Sequence, residues 1–180
     1  LLAGTGAASL TDCTTLTRSA FDLGFDGVLI VPPYYYKNAS TDGLFAFYRD
    51  VISRAVPSDG AVLLYHIPAV NGIAISSELI SRLRDQFPMQ VVGIKDSSGD
   101  LLRVQALCQA FPDFLVFAGD DRLLADCLAA GGAGSITAVA NLFPDLPRAV
   151  YDDHQGDIAI SDAQGRLTEA RNKINDLPFA

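Results

Sequence analysis

Lys95 is the residue of this chain whose position most directly indicates chemistry. It ends the apolar run 91–94 and precedes a polar turn that contains Gly99. The run is typical of a buried parallel strand, so the amine should lie at the carboxyl end of a sheet, where α/β proteins bind ligands. Partial desolvation there favours the neutral amine, which can attack a ketone and form a Schiff base. The alternative is a surface lysine whose stem covers apolar neighbours.

The other two lysines have ordinary settings. Lys37 follows two prolines in a predicted loop, and Lys173 lies in a charged helical stretch near the C-terminus. Lys95 is therefore the lysine that the sequence favours as a nucleophile.

Other chemically useful side chains also follow predicted strands. Tyrosines occupy positions 34–36, Tyr65 and His66 end the third strand, and 119–121 and 135–137 follow later strands. If the sheet is a barrel, these positions meet at one mouth. The Tyr65 hydroxyl could then shuttle protons while an imine forms on Lys95. The alternative for Tyr65 is a half-buried aromatic residue whose hydroxyl meets water.

Short apolar runs alternate with helical patterns, which predicts βαβ units and a parallel sheet. Thr11 is a candidate cap of the first helix, and Ser76 or Ser77 of the third. The predicted strands are 1–4, 28–31, 61–65, 91–95, 114–118 and 134–138. The predicted helices are 11–23, 41–55, one that begins at 76 or 77, 100–110, 121–130, one that follows 143–144 and runs through 151, and 158–175, with a polar break at 152–156.

The pattern predicts an α/β fold of about six βα units plus a C-terminal helix, which is part of a (β/α)₈ TIM barrel if the sheet closes. We expect residues 1–180 to form a single partial barrel domain. A closed barrel has eight strands and typically ~250 residues. Because the chain starts and stops abruptly, at Leu1 and Ala180, we expect βα units to be missing at the front and some structure at the C-terminal end.

Composition narrows the class of protein. The chain has 180 residues, of which 49% are hydrophobic and 19% charged, and its net charge is −8. These values exclude disorder as the main state, and the scattered positive charges predict neither a nucleic-acid nor a membrane partner. We expect a cytoplasmic protein, since no membrane span or signal peptide is visible. Cys13, Cys108 and Cys127 lack metal or redox spacing and are interpreted as small buried hydrophobic residues.

Six segments, in order and spacing, resemble the dihydrodipicolinate synthase and N-acetylneuraminate lyase family. They are Gly4-Thr5-Gly6-Ala7, Pro33-Tyr34-Tyr35, Leu64-Tyr65-His66-Ile67-Pro68 with Gly72, Gly93-Ile94-Lys95-Asp96-Ser97-Ser98-Gly99-Asp100, Gly119-Asp120-Asp121 and Gly134-Ser135-Ile136-Thr137. The resemblance implies a barrel lyase of the class I aldolase type, in which Lys95 forms an imine with pyruvate or another 2-oxo acid and an aldehyde is the partner. It implies no metal and no organic cofactor. It also implies a homo-oligomer, either a dimer or a tetramer.

Site residues follow from the resemblance position by position. Tyr65 matches the proton-relay tyrosine, and Tyr35 matches a tyrosine that crosses a dimer interface into the neighbouring site. The main chain around Ile136 matches a segment that lines the pyruvate pocket. Gly119 and Asp121 fall where sugar-acid members hold substrate hydroxyls, although Asp121 could equally cap the following helix.

Departures from the family pattern bear on the substrate. The Gly-Thr-Thr-Gly turn that binds the pyruvate carboxylate is not present in this sequence. Val70 stands where dihydrodipicolinate synthases carry a carboxylate-binding arginine, and an alkyl group cannot replace a guanidinium. His66 replaces the usual asparagine and could bind a substrate hydroxyl, act as an acid or base, or be a structural histidine.

The sequence therefore favours reversible aldol cleavage of a hydroxylated 2-oxo (sugar) acid. Alternatives are a 4-hydroxy-tetrahydrodipicolinate synthase of lysine biosynthesis and a non-catalytic barrel relative. A remote alternative is a nucleotide-binding α/β protein, because residues 4–9 partly imitate the G-x-G-x-x-G motif. That imitation is incomplete, since Ser9 replaces the third glycine or alanine.

Overall fold

Strands and helices alternate along the chain as the apolar patterns predict. The computed structural model describes residues 1–156 and 162–176. The chain divides into two compact units, Leu1–Lys95 and Asp96–Ala180, which are described separately. In the described part of the chain, no helix combines the length and apolar character needed to cross a membrane.

The first unit contains four strands and four helices. The strands are β1 (Leu2–Gly4), β2 (Gly27–Ile30), β3 (Ala61–His66) and β4 (Val91–Asp96), which lie side by side in that order. The helices are α1 (Leu10–Asp22), α2 (Thr41–Ala55), α3 (Pro68–Asn71) and α4 (Ser77–Gln86). The β1–β2 and β2–β3 pairs are parallel, as the βαβ pattern predicts.

The core of the first unit lies between its strands and the helices that cover them. Val28 pairs with Val62 and Ile30 with Leu64, and all four side chains are buried. The hydroxyl of Tyr48 on α2 donates a hydrogen bond of 3.2 Å to the Ile30 carbonyl oxygen. Burial raises the pKa of Tyr48 well above its ordinary value. These contacts fix α2 against the strands whose ends carry the site.

The second unit begins with the last residue of β4. Its elements are α5 (Leu101–Ala110), β5 (Leu115–Ala118), a 3₁₀ turn (Asp121–Leu123), α6 (Leu124–Ala129), β6 (Gly134–Ser135), a second 3₁₀ turn (Val139–Asn141), α7 (Asp145–Gln155) and α8 (Ala163–Asn175). Strands β5 and β6 are parallel. Leu124, Leu128, Val150 and Leu167 form its main apolar cluster, which joins α6, α7 and α8.

The start of α1 differs from the prediction. Thr11 is not the cap; Ser9 is, because its hydroxyl accepts a hydrogen bond from the Asp12 amide. The helix therefore begins at Leu10 and ends at Asp22. A serine two positions earlier reaches the free amides of the first turn equally well, and the sequence alone does not rank the two.

Two later predictions also need correction. Strand β6 was predicted over 134–138 but ends at Ser135, because its partner β5 ends at Ala118 and offers no further ladder. The polar break predicted at 152–156 is mostly helical, since α7 continues to Gln155. An ion pair one turn apart, between Arg148 and Asp152, supports this stretch. Of the final predicted helix 158–175, residues 158–161 lie outside the described residues.

Candidate active site

Lys95 and Tyr65 lie on neighbouring strands, β4 and β3, and their side chains meet. The Lys95 Nζ donates a hydrogen bond of 3.0 Å to the Tyr65 hydroxyl oxygen. The same nitrogen lies 4.2 Å from the centre of the Tyr65 ring. Both side chains are partly buried. An amine and a phenol at hydrogen-bond distance can act together in imine chemistry, as nucleophile and proton carrier.

A cavity of about 390 Å³ opens beside Tyr65 at the ends of the first three strands. Its walls are mostly apolar. They are formed by Gly4, Gly6, Leu29, Val31, Tyr34, Tyr65, Ile67, Val70 and Asn71. This volume is in the range of small-molecule sites in proteins.

Gly6 has a packing explanation at the edge of this cavity. A Cβ atom at this position would lie 2.4 Å from the Val31 Cγ1 and 2.6 Å from the Val31 amide nitrogen. The close approach of backbone to Val31 therefore accounts for the glycine. This accounts for the partial resemblance of 4–9 to a nucleotide-binding loop without a nucleotide.

The segment after Tyr65 forms one wall of the cavity and turns through the short helix α3. Pro68 opens the helix, and Gly72, with φ +71°, closes it by donating its amide to the Pro68 carbonyl oxygen. Val70 projects from this turn and is 74% exposed. Four residues carry no helical period, so the sequence patterns missed α3, although the Pro and Gly at its ends are a usable signal.

Asn71 is a site residue that the sequence reasoning missed. It is 3% exposed, and its Oδ1 accepts a hydrogen bond of 2.9 Å from the Ile73 amide. Its backbone carbonyl oxygen accepts one of 2.9 Å from the Lys37 Nζ. Its Nδ2 is buried and has no hydrogen-bond partner among residues 1–156 and 162–176. A buried amide donor at the wall of an apolar cavity is available to a ligand.

His66 is buried, and its Nδ1 accepts a hydrogen bond of 3.1 Å from the Ile75 amide. The proton of the neutral imidazole is therefore on Nε2. This contact favours the structural alternative for His66, because the ring holds the chain that returns from α3 toward α4.

Tyr35 lies on the loop after β2, away from the contacts of Lys95. It is 74% exposed, and its ring packs edge to face against Tyr36 at 5.1 Å between ring centres. An exposed pair of aromatic rings is typical of surfaces that bind other proteins. A role for Tyr35 across a subunit interface stays a prediction.

The predicted site residues of the second unit have different environments. Gly119 donates its amide to the Asp96 carbonyl oxygen at 2.7 Å. A Cβ there would lie 1.9 Å from the Ser97 hydroxyl oxygen and 2.8 Å from the Asp96 carbonyl oxygen. Glycine is therefore required by the close approach of two chain segments. Ile136 is half-buried, and its amide donates to the Ala118 carbonyl oxygen at 3.0 Å.

Asp121 is completely buried at the start of the first 3₁₀ turn. Its Oδ2 lies 4.0 Å from an Arg171 guanidinium nitrogen on α8, and its carboxylate makes no hydrogen bond to the described part of the chain. The cap of this turn is Asp120, which accepts from the Arg122 amide at 3.0 Å. The hydrogen-bonded Arg122 side chain also lowers the pKa of Asp120.

A buried ion pair follows the lysine directly. The Asp96 Oδ2 accepts a hydrogen bond of 2.7 Å from the Arg103 Nε, and its Oδ1 accepts one of 2.9 Å from the Ser98 amide. Sequence reasoning missed this pair, although an acid at a strand end followed seven positions later by an arginine is a signal for it.

The three cysteines lie in helices α1, α5 and α6; Cys13 and Cys127 are buried, as predicted, whereas Cys108 is only partly buried. Burial raises the pKa of Cys127 to about 11 and also raises the pKa of Cys13 and of Cys108. Thiols in this state are poor nucleophiles at neutral pH. Among the described residues, no group of three or more His, Cys, Asp or Glu side chains is arranged to hold a metal ion.

Comparison with known proteins identifies relatives over almost the whole chain. Residues 1–178 match the dihydrodipicolinate synthetase family. The chain is 44% identical over 179 residues to an uncharacterized DapA-like lyase from Chloroflexus aurantiacus. This match covers 98% of this chain and 59% of the relative. It is 38% identical over 162 residues to the 4-hydroxy-tetrahydrodipicolinate synthase of Thermus thermophilus. This match covers 87% of this chain and 53% of the relative.

A solved structure agrees with these sequence matches. The crystal structure of dihydrodipicolinate synthase from Agrobacterium tumefaciens matches with a TM-score of 0.79 and 36% identity, over 85% of this chain and 53% of that one. The predicted fold class, part of a (β/α)₈ barrel, is thereby confirmed. The chain spans a little over half the length of the relatives it matches.

Proposed function

The chain belongs to the dihydrodipicolinate synthetase family, and on that premise we propose that the protein is a lyase in which Lys95 forms an imine with pyruvate or another 2-oxo acid. The observation that carries the proposal is the 3.0 Å hydrogen bond from the Lys95 Nζ to the Tyr65 hydroxyl. It supports an amine nucleophile with its own proton carrier. We also propose that residues 1–180 belong to one barrel domain.

The proposed reaction begins when the neutral Lys95 amine attacks the ketone carbon. Tyr65 passes a proton to the carbinolamine hydroxyl, which leaves as water and gives the imine. Loss of a proton from the carbon next to the imine gives an enamine. That enamine either adds to an aldehyde, forming a carbon–carbon bond, or is produced when such a bond breaks. Water then releases the 2-oxo acid and regenerates Lys95.

The identity of the aldehyde is the finer part of the proposal. The sequence favours a hydroxylated partner, as in cleavage of a 2-oxo sugar acid, because Val70 offers no cation to a carboxylate. The alternative, 4-hydroxy-tetrahydrodipicolinate synthase, is supported by a relative of that name with 38% identity. Val70 argues against it, since a carboxylated partner would lack its ion pair.

The other predicted substrate-binding residues are not all given a role in substrate binding. We propose that the main chain at Ile136 lines the 2-oxo acid pocket. We also propose that Gly119 serves this pocket by allowing the backbone after β5 to approach Ser97 closely. His66 and Asp121 are better explained by their buried contacts, with the Ile75 amide and with Arg171 respectively. A direct role of either in holding hydroxyls would require those contacts to change.

We further propose that the protein works as a homo-oligomer, a dimer or a tetramer, in which Tyr35 reaches a neighbouring site. The exposed aromatic rings of Tyr35 and Tyr36 support an interface at this loop. A cytoplasmic location remains a prediction from the sequence.

Reductive trapping tests the central proposal. The full-length protein is incubated with pyruvate and borohydride, and its peptides are mapped by mass spectrometry. We expect a pyruvyl adduct on Lys95, and none on Lys37 or Lys173, which serve as internal controls. Lys95→Arg should abolish the adduct and the turnover. An unmodified wild-type protein, or turnover that survives in Lys95→Arg, would favour the non-catalytic alternative or another mechanism.

A further inference from the structure

We propose that the cavity beside Tyr65 selects an aldehyde with an apolar alkyl or aryl substituent, and that the Asn71 side-chain amide donates a hydrogen bond to an oxygen of this partner. The inference rests on the imine chemistry proposed above and specifies its second substrate. It departs from the hydroxylated partner that the sequence favours.

The walls of the cavity argue for an apolar substituent. Leu29, Val31, Ile67 and Val70 contribute side chains without polar atoms, and in the described part of the chain no Lys, Arg, Asp or Glu lines the space. A substrate hydroxyl buried against these four side chains loses its water without gaining a partner, which is unfavourable. A carboxylate would lose more, since a buried charge needs a counterion. A volume of about 390 Å³ leaves room for an aryl ring beside the 2-oxo acid.

Val70 is the wall residue that most clearly separates apolar from charged partners. It lines the cavity and is 74% exposed. A large apolar side chain in that state gains by covering an apolar ligand group, because both surfaces leave water.

Asn71 supplies one directed donor, beside the hydroxyls of Tyr34 and Tyr65 that also line the cavity. The Ile73 amide donates to its Oδ1 at 2.9 Å, and this bond identifies the oxygen end of the side-chain amide and leaves Nδ2 as the free end. Nδ2 is buried without a hydrogen-bond partner among the described residues. A buried donor of this kind is stabilised by a ligand oxygen placed within reach. This donor suits the oxygen of the aldehyde carbonyl.

The reaction balances without a further reagent. The enamine carbon of the Lys95 adduct bonds to the carbonyl carbon of the aldehyde, whose oxygen takes up a proton and becomes the hydroxyl at C4. Water then hydrolyses the imine and releases a 4-hydroxy-2-oxo acid with the apolar substituent at C4. No atom is oxidised or reduced overall.

A panel of aldehydes tests the proposal in the full-length protein. Trapping with pyruvate and borohydride is done first, because it tests the imine chemistry alone. The rate of aldol addition is then measured with pyruvate and pentanal, benzaldehyde, glyceraldehyde or succinic semialdehyde. We expect kcat/KM for pentanal or benzaldehyde to exceed that for glyceraldehyde by about 10- to 100-fold, with succinic semialdehyde lowest.

Two variants locate the effect. Asn71→Asp keeps an oxygen for the Ile73 amide but replaces the free donor, so kcat/KM for benzaldehyde should fall about tenfold or more, while pyruvate trapping persists. Val70→Arg should lower kcat/KM for benzaldehyde and raise it for succinic semialdehyde. Met89→Arg is the matched control, since Met89 is equally exposed at 75% and lies outside the cavity; it should leave the order of the panel unchanged.

The outcomes separate this inference from the proposed function. Failure of wild-type trapping would remove the imine chemistry and the inference with it. Successful trapping with glyceraldehyde or succinic semialdehyde as the best partner would overturn the inference alone. So would an unchanged order of preference in Val70→Arg together with unchanged kinetics in Asn71→Asp.

Discussion

Substitution of either member of the Asp96–Arg103 ion pair should destabilise the protein, and loss of the arginine should be the more damaging change. The Arg103 Nε and the Asp96 Oδ2 are 2.7 Å apart, and the two side chains are 23% and 0% exposed. Opposite charges about 4 Å apart attract by about 4 kcal/mol at an effective dielectric constant of about 20. Removing one partner of a buried pair typically costs about 3–5 kcal/mol, because the other charge is left without compensation.

The difference in exposure between the two partners sets the order of the effects. In Arg103→Met, the Asp96 carboxylate stays buried with the Ser98 hydrogen bonds, so the free energy of unfolding should fall by about 3–5 kcal/mol. In Asp96→Asn, water reaches part of the guanidinium, and we expect a smaller loss of about 2–3 kcal/mol. The double variant should lose less than the sum of the two, by about 1.5 kcal/mol or more.

Urea unfolding followed by circular dichroism measures these changes, with all variants at one protein concentration because the proposed self-association would contribute to stability. Arg148→Met is the control, since Arg148 pairs with Asp152 on the surface, and it should cause no measurable change. Single effects that add within about 0.5 kcal/mol in the double variant would refute the reasoning.

Three further predictions follow from other parts of the structure. Tyr65→Phe removes the proposed proton carrier beside Lys95 and should lower kcat by about 10²- to 10⁴-fold with little change in the KM for pyruvate, measured by steady-state kinetics. Gly119→Ala should destabilise the protein by about 1–3 kcal/mol in urea, because its Cβ would overlap Ser97 and the Asp96 carbonyl; Gly4→Ala, which meets nothing within 4 Å, should be near neutral, and equal effects would contradict the packing argument. The pKa of Cys127 is raised from 9.0 to about 11, so its protonated thiol contributes fully to stability below pH 9, and this contribution should be lost as the pH rises toward 11. Cys127→Ala should flatten the plot of urea midpoint against pH between these values. An unchanged slope would exclude the buried thiol as its cause.

The strand positions could be predicted because each strand is a short apolar run between polar turns. The runs at 61–65 and 91–95 were predicted to within one residue, and with them the strand-end positions of Tyr65 and Lys95. Parallel strands expose their carboxyl ends at one edge, so the pairing of these two residues follows from the pattern. Their separation of 3.0 Å also requires that β3 and β4 be neighbours and that both side chains adopt suitable rotamers, which the pattern does not give.

Contacts between side chains and distant backbone could not be predicted in this way. The hydrogen bond from the Ile75 amide to His66 joins residues nine positions apart. The segment between them contains α3, a four-residue helix that is too short to show a hydrophobic period. The buried Asp121 carboxylate lies 4.0 Å from the guanidinium of Arg171, which is fifty positions later on α8. The sequence allowed two roles for Asp121, binding of substrate hydroxyls or capping of the following helix. In the structure the neighbouring Asp120 is the cap.

The segment that follows Tyr65 is held by bonds that do not involve the side chain of residue 70. The Ile75 amide binds His66, the Ile73 amide binds the Asn71 side chain, and Lys37 binds the Asn71 carbonyl oxygen. The turn therefore keeps its backbone whichever side chain position 70 presents to the cavity. It follows that Val70 can be exchanged for arginine without loss of the frame, so a change in aldehyde preference in that variant reports on recognition and not on folding.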